Sequence, residues 1–305
     1  MATNALNLPQ KEYMLPGNRT CAGCGLSIAY RHALKALGDN TIVTVPASCL
    51  TVLHGMYPVT SVQIPCLNTA FASTAASASG IVAGLKALGR EGITAVAFAG
   101  DGGTHDIGIQ ALSGAAERDT DFIYICYDNE AYMNTGGQRS SSSPLGATTT
   151  TTPTLGKQQH QKDMPAIMAA HGIPYVATAS SSYPLDLYDK VRKARDMAGT
   201  RFIYISAPCP PGWGFPTRDT VMMGRLAVES GMVVLYEIEA GRFRLTGASE
   251  RLARSGRLKP VRDYIALQGR FSKVTEGQVQ ELQRHVEHKW QEYLARAALP
   301  AAGTH

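Results

Sequence analysis

The residues of this chain best suited to chemistry follow two apolar runs. Ala95–Ala99 leads into Gly100-Asp101-Gly102-Gly103, and Phe122–Tyr127 leads into Asp128-Asn129-Glu130-Ala131-Tyr132-Met133-Asn134-Thr135-Gly136-Gly137-Gln138. Glycines at a strand end let backbone N–H groups approach a phosphate, and a helix beginning near Ile107 adds its positive N-terminal end. A Gly-Asp-Gly alone is common in turns. A second strand ending in an amide strengthens the signal, because parallel neighbouring strands bring Asp101 and Asn129 to one sheet edge. Mg²⁺ takes hard oxygen ligands in near-octahedral geometry and completes its shell with phosphate oxygens and water. One carboxylate, one amide oxygen, one backbone carbonyl and two phosphate oxygens meet that demand. The two loops therefore read as a grip for a Mg²⁺-bound diphosphate.

This order of strand, Gly-Asp-Gly, helix, strand and Asn resembles the thiamine-diphosphate (ThDP) enzymes. The phrase from Tyr127 to Gly136 resembles, more narrowly, the β subunit of the pyruvate:ferredoxin oxidoreductase family. The resemblance implies that Asp101 and Asn129 are side-chain Mg²⁺ ligands and Ala131 a carbonyl ligand. Gly100 and Gly102 would contact the diphosphate, Asn134 and Thr135 would lie near the diphosphate and the thiazolium as the residues closest to the chemistry, and Gly136 would close the loop. The likeness spans roughly residues 10–270, and Tyr236–Glu239 and Tyr264–Phe271 also resemble the pyruvate-type branch. Ser143-Pro144-Leu145-Gly146 and the Thr148–Thr152 run depart from that branch. Pyruvate is thus the default substrate, with an aromatic 2-oxoacid such as phenylglyoxylate as the alternative.

Thr20-Cys21-Ala22-Gly23-Cys24-Gly25 precedes a helical pattern. Such a Cys-x-x-Cys pair could bind zinc, cycle as a redox dithiol or hold two corners of an iron–sulfur cluster. Cys49 follows the apolar run Ile42–Val45 and Cys209 follows Phe202–Ser206, so both fall at strand ends on the edge that carries the diphosphate loop. Four thiolates beside a carbanion-forming cofactor make sense as a [4Fe–4S] cluster, whereas zinc could not take electrons. The resemblance extends to these positions and makes Cys21, Cys24, Cys49 and Cys209 the ligands. Cys66 and Cys126 read as small buried hydrophobes.

The resemblance implies oxidative decarboxylation of a 2-oxoacid to an acyl-CoA, with coenzyme A as co-substrate and electrons leaving through the cluster to ferredoxin or another acceptor. ThDP activation needs a carboxylate on the aminopyrimidine ring, and no Glu here sits in a motif for that role. A partner subunit would supply it, and another would carry the further clusters for which this chain lacks cysteines. The rivals are a non-redox ThDP lyase with structural zinc and a zinc-stabilised assembly subunit.

To position these residues the chain must alternate strands and helices. Helical patterns cover 27–37, 69–88, Ile107–Arg118 and Leu185–Ala198, between the β-rich runs named above. Such alternation predicts an α/β fold, a mostly parallel sheet with helices on both faces, which binds ligands at the carboxyl ends of its strands. Residues 1–230 would form the ThDP and cluster domain. Residues 231–305 read as an extension that packs on the core or a partner. It would hold a hairpin turning at Ala240-Gly241 and a helix capped by Thr275-x-x-Gln278, with Val279, Leu282, Val286, Trp290 and Leu294 along one face. Arg139–Gly156, rich in Ser, Thr, Pro and Gly, reads as a loop following the cofactor loop, either an ordered lid or a linker.

Composition excludes other classes. With 305 residues, 44% hydrophobic and 17% charged, the chain can bury a sizeable core. A net charge of +5 with no dense basic run gives no sign of nucleic-acid binding. No secretory signal is evident in residues 1–16, no apolar run approaches the about 18 residues of a membrane span, and six cysteines suggest reduced thiols, so the chain reads as cytoplasmic. His105 and His54 are candidates to touch substrate, and so is Arg139. Asp106 is expected to cap the following helix. Tyr183, Trp213 and Trp290 read as core or interface. No Gly-x-Ser-x-Gly elbow is present.

Overall fold

The computed structural model describes residues 3, 4 and 6–298. Six parallel strands, β1 Thr41–Pro46, β2 Cys66–Thr69, β3 Thr94–Gly100, β4 Phe122–Asp128, β5 Tyr175–Ser180 and β6 Thr200–Ser206, form one sheet in the order β2-β1-β3-β4-β6-β5. An antiparallel hairpin, β7 Tyr236–Glu239 and β8 Arg242–Leu245, extends the β5 edge. Ala240 and Gly241 both have positive φ, which matches the right-handed twist a two-residue hairpin turn requires. The central strand β4 is buried throughout and β3 from its second residue on, as expected where helices cover both faces.

Helices cover the two faces. Beneath the sheet α1 (Gly25–Leu37) packs beside α6 (Pro184–Arg195), and the other face carries α3 (Thr74–Ala87), α4 (Ile109–Glu117) and α5 (Met164–Ala170). Cys49–His54 forms a short helix, α2. A third apolar cluster joins Pro210–Trp213 (α7), Thr220–Glu229 (α8), Gly247–Ser255 (α9), Val261–Ile265 (α10) and Glu276–Ala298 (α11). Thr275 and Gln278 cap α11 reciprocally: the Thr275 N–H donates to Gln278 Oε1 at 2.9 Å and the Gln278 N–H donates to Thr275 Oγ1 at 3.2 Å. Val279, Leu282, Val286 and Trp290 are buried on that helix.

Two expectations need correction. The helical pattern over 69–88 begins only at Thr74, because Cys66–Thr69 pairs with β1, with Pro46 opposite Thr69. Cys66, expected in the core, is exposed on this edge strand, and its Sγ lies 3.1 Å from His54 Nδ1. Among the described residues no helix is long and apolar enough to cross a membrane.

Candidate functional site

Strand register builds the site. Gly100 lies opposite Tyr127 across β3 and β4, so Asp101 and the loop from Asp128 leave the sheet side by side. Asp128 lies opposite Ser206 on β6, which places Ala207-Pro208-Cys209 next along the edge. Gly100, Asp101, Gly102, Asn129, Ala131, Asn134 and Thr135 line one cleft together with Ser48, Cys49, Phe71 and Tyr132. Gly136 does not line this cleft; it faces an adjoining cavity with Gly137, Thr148–Thr150 and Arg270. A Cβ on Gly102 would overlap the Tyr132 ring and lie 2.9 Å from Phe71, so only glycine leaves room there. Gly102–Asp106 is a π-helical turn that runs on towards α4.

The Asn129 side-chain oxygen faces two other oxygens, Asp101 Oδ1 at 3.2 Å and the Ala131 carbonyl at 2.7 Å. Rotating the amide would let its nitrogen donate to both. A cation between the three oxygens would instead use them as they stand. Asp101 is buried, and burial, then the nearby Asp128, push its carboxyl well above the usual range. A divalent cation would reverse that shift. The carboxylate, amide and carbonyl therefore fit Mg²⁺ in donor type and in their mutual approach.

Behind this triad lies a buried hydroxyl strap. Ser142 Oγ is 3.1 Å from Asp101 Oδ2 and 2.8 Å from Asp128 Oδ1, Ser143 Oγ donates to the Glu130 carbonyl at 2.6 Å, and Lys157 Nζ donates to the carbonyls of Ser141 and Ser143 at 2.7 Å each. Burial lowers Lys157 to about 8. The segment after Gln138 is thus packed and hydrogen-bonded into the site. Tyr204 donates to Asp128 Oδ2 at 2.7 Å, and burial raises the Asp128 carboxyl. Glu130 has φ +64, which kinks the chain between Asn129 and Ala131. Two partners hold the kink: Trp213 Nε1 donates to the Asn129 carbonyl at 2.8 Å, and Arg270 Nη1 lies 2.6 Å from Glu130 Oε2.

Asp106 does not cap α4. The π-turn puts it at the end of a helical turn, where it accepts from the Tyr132 hydroxyl at 2.5 Å and from the backbone and hydroxyl of Ser141. His105 is buried with Nδ1 3.2 Å from the Asp101 carbonyl, and burial lowers its pKa to about 4. His54, the last residue of α2, is buried 2.8 Å from the Tyr30 hydroxyl and away from the cleft. Arg139 is exposed and reaches Gln159 at 3.4 Å. Trp213 and Trp290 are core residues and Tyr183 is half-buried. Cys126 is buried within β4.

Cys21, Cys24, Cys49 and Cys209 line a second cavity of about 320 Å³. Cys49 and Cys209 each sit three residues beyond the ends of β1 and β6. The Cys-x-x-Cys is brought to them because α1 begins on the β6 end: the Gly25 N–H donates to the Pro208 carbonyl at 3.1 Å, and a Cβ at Gly25 would come 2.7 Å from that oxygen. Burial, and after it the negative charge of the neighbouring thiols, pushes Cys49 and Cys209 up to about 12. Among the described residues no three His, Cys, Asp or Glu side chains close on a single point as a one-ion site would require. Tetrahedral zinc at about 2.3 Å from each sulfur would hold thiolates about 3.8 Å apart. Four thiols around one cavity also supply the donor set of a [4Fe–4S] cluster. The two cavities share Cys49, Asn129, Met133 and Asn134.

A parallel sheet with a glycine-cradled carboxylate and a kinked amide loop at adjacent strand ends has the frame of a ThDP-binding domain. Residues 47–205 match the family described as thiamine pyrophosphate enzyme, C-terminal TPP binding domain. The chain is 52% identical over 94% of its length, and 99% of the relative's, to pyruvate synthase subunit PorB of Methanothermobacter marburgensis. It is 45% identical over 94% of both chains to ketoisovalerate oxidoreductase subunit VorB of Pyrococcus horikoshii. In fold it resembles the 2-oxoglutarate:ferredoxin oxidoreductase of Magnetococcus marinus, with TM-score 0.57 and 23% identity, over 67% of this chain and 70% of that one. The chain belongs to the ThDP-binding β subunits of the 2-oxoacid:acceptor oxidoreductase family.

Proposed function

We propose that this chain is the ThDP- and cluster-bearing subunit of a multi-subunit complex that oxidatively decarboxylates a 2-oxoacid to an acyl-CoA. Pyruvate is its first substrate and ferredoxin, or a carrier like it, the acceptor. The observation that carries this reading is the adjacency of an oxygen triad and four cysteines in cavities that share a wall. Bound ThDP supplies carbanion chemistry next to a carbonyl, and a [4Fe–4S] cluster accepts electrons singly. The chain's own residues hold and orient these groups. Asp101, Asn129 and the Ala131 carbonyl hold Mg²⁺, while Gly100 and Gly102 admit the diphosphate. Asn134 and Thr135 stand at the mouth of the cleft, near the reacting end, and Gly136 lets the loop turn back. Cys21, Cys24, Cys49 and Cys209 hold the cluster.

Asp101 is the one carboxylate among the described residues that line the cleft, and it faces Asn129. Glu130 is bound to Arg270. The glutamate that activates ThDP therefore comes from a partner subunit, and a further partner carries the onward clusters. The same reading puts the complex in the cytoplasm, where thiols stay reduced. The ketoisovalerate-type relatives support a branched 2-oxoacid as second substrate.

Anaerobic purification of the complex tests the proposal. It should give a brown protein with about four irons in this subunit; a colourless, zinc-containing preparation would overturn the redox reading. A panel of pyruvate, branched and aromatic 2-oxoacids with coenzyme A and a viologen dye then ranks the substrates. Dye reduction by none of them would refute the activity.

A further inference from the structure

Of the four residues that wall both the ThDP cleft and the cysteine cavity, Cys49, Asn129 and Asn134 already have roles in the proposed site. Met133 has none. Its side chain also lines the third cavity, with Thr148–Thr150 and Arg270, so it stands where all three spaces meet. Its backbone is fixed: the Met133 N–H donates to the Ala131 carbonyl at 2.9 Å, and the Gly136 N–H donates to the Met133 carbonyl at 3.1 Å. Its thioether reaches the cysteines because position 212 has no side chain. A Cβ on Gly212 would lie 2.5 Å from Met133 Sδ and 3.2 Å from Cys209 Sγ, so the thioether and that thiol flank the same glycine. The glycine follows Pro210-Pro211, which fix the chain there.

Methionine suits such a place. It is unbranched, apolar and polarizable, and it fills an irregular gap without offering a hydrogen-bond donor. The reduction potential of an iron–sulfur centre depends on solvent exposure and on hydrogen bonds to its sulfurs. Reduction adds negative charge, which water or an amide N–H stabilises, so a wetter or more polar wall raises the potential.

Resting on the cluster reading above, we propose that Met133 is the dry partition between the ThDP cleft and the cysteine-held centre. It keeps water, and any donor beyond the Gly212 N–H, from the Cys209 side and so holds the centre's potential low. It is a tuning and positioning residue and touches no reacting atom.

The test uses the purified complex with Met133→Gln, Met133→Ala, Met133→Leu and Gly212→Ala, the last displacing the thioether from Cys209. Three readouts are taken: iron content, potential by spectroscopic titration, and ThDP affinity by tryptophan fluorescence. M133Q, M133A and G212A should keep about four irons and raise the potential by on the order of 59 mV, a tenfold change in the one-electron equilibrium. M133L should leave it unchanged, and ThDP affinity should hold within about twofold throughout. Iron-replete M133Q, M133A and G212A at the wild-type potential would overturn the inference, and so would M133L shifting as far as M133Q. If M133Q loses iron, M133A and G212A decide by the same outcomes. A wild-type complex without iron would instead sink the cluster reading, and this inference with it.

Discussion

Replacing Arg270 with alanine should be among the most damaging changes outside the proposed cofactor ligands. The guanidinium is buried and lies 2.6 Å from an equally buried Glu130 carboxylate. It also donates to Gln268 Oε1 at 2.8 Å and to the Tyr264 hydroxyl at 3.3 Å, and stands 4.1 Å from the centre of the Trp213 ring. Alanine leaves Glu130 with a donor from Gln161 at 3.2 Å and no cation. Removing one partner of a buried pair costs about 3–5 kcal/mol, chiefly from the charge left behind. Loss of the desolvated cation–π contact adds up to about 2 kcal/mol. Together these should lower the melting temperature by roughly 10–20 °C. Thermal melts of the wild type, R270A, E130Q and R270A/E130Q separate the terms, because the double variant removes the orphaned charge. It should melt above R270A alone. A melt for R270A within about 2 °C of wild type, or a double variant below R270A, would refute the reasoning.

Asp101→Ala should abolish Mg²⁺-ThDP binding and activity while about four irons remain; loss of both would mean the two centres are not independent. Gly102→Ala must push aside Tyr132, which Asp106 holds, or Phe71, so it should cost about 1–3 kcal/mol. ThDP affinity measured by fluorescence should fall about tenfold, and unchanged affinity would show that the cradle is not tight there. Hydrogen bonds from Arg31, aided by Lys35, hold the Glu12 carboxyl at about 2. A lowered carboxyl pKa stabilises the fold above the unfolded value near 4.5, and that contribution disappears as pH falls through 2. Glu12→Gln should therefore be less stable than wild type at pH 6, by at most about 1 kcal/mol for this partly exposed group, and equal near pH 2 by thermal melts.

Much of the frame can be read from local pattern. The apolar runs ending at Val45, Ala99, Tyr127 and Ser206 lie in β1, β3, β4 and β6, because a strand covered on both faces must be apolar throughout. β5 escapes that signal because it carries Thr178 and Ser180 into the interior, where Thr178 Oγ1 donates to the Val234 carbonyl at 2.6 Å. β2 escapes because it is four residues long and largely exposed. The motifs of the two cavities are legible for a related reason. Each begins within three residues of a strand end or just before α1, so local pattern and register together bring it to the edge. Arg270 is different. It reaches Glu130 from 140 positions away, by a return of the chain that no periodicity announces.

The serine strap shows what such returns add to the site. Ser142 has one proton and two carboxylates within reach, Asp101 and Asp128. Asp128 has other donors: the Tyr204 hydroxyl at its Oδ2 and the Glu130 N–H at its Oδ1, at 2.7 and 2.6 Å. Asp101 Oδ2 has the Ser142 hydroxyl, and its Oδ1 lies 3.2 Å from the side-chain oxygen of Asn129. The Ser142 hydroxyl thus bridges the two carboxylates and ties the orientation of Asp101 to that of Asp128. A run of four serines reads in sequence as loop composition, yet the hydroxyl of Ser142 orients the carboxylate on which the proposed Mg²⁺ site depends.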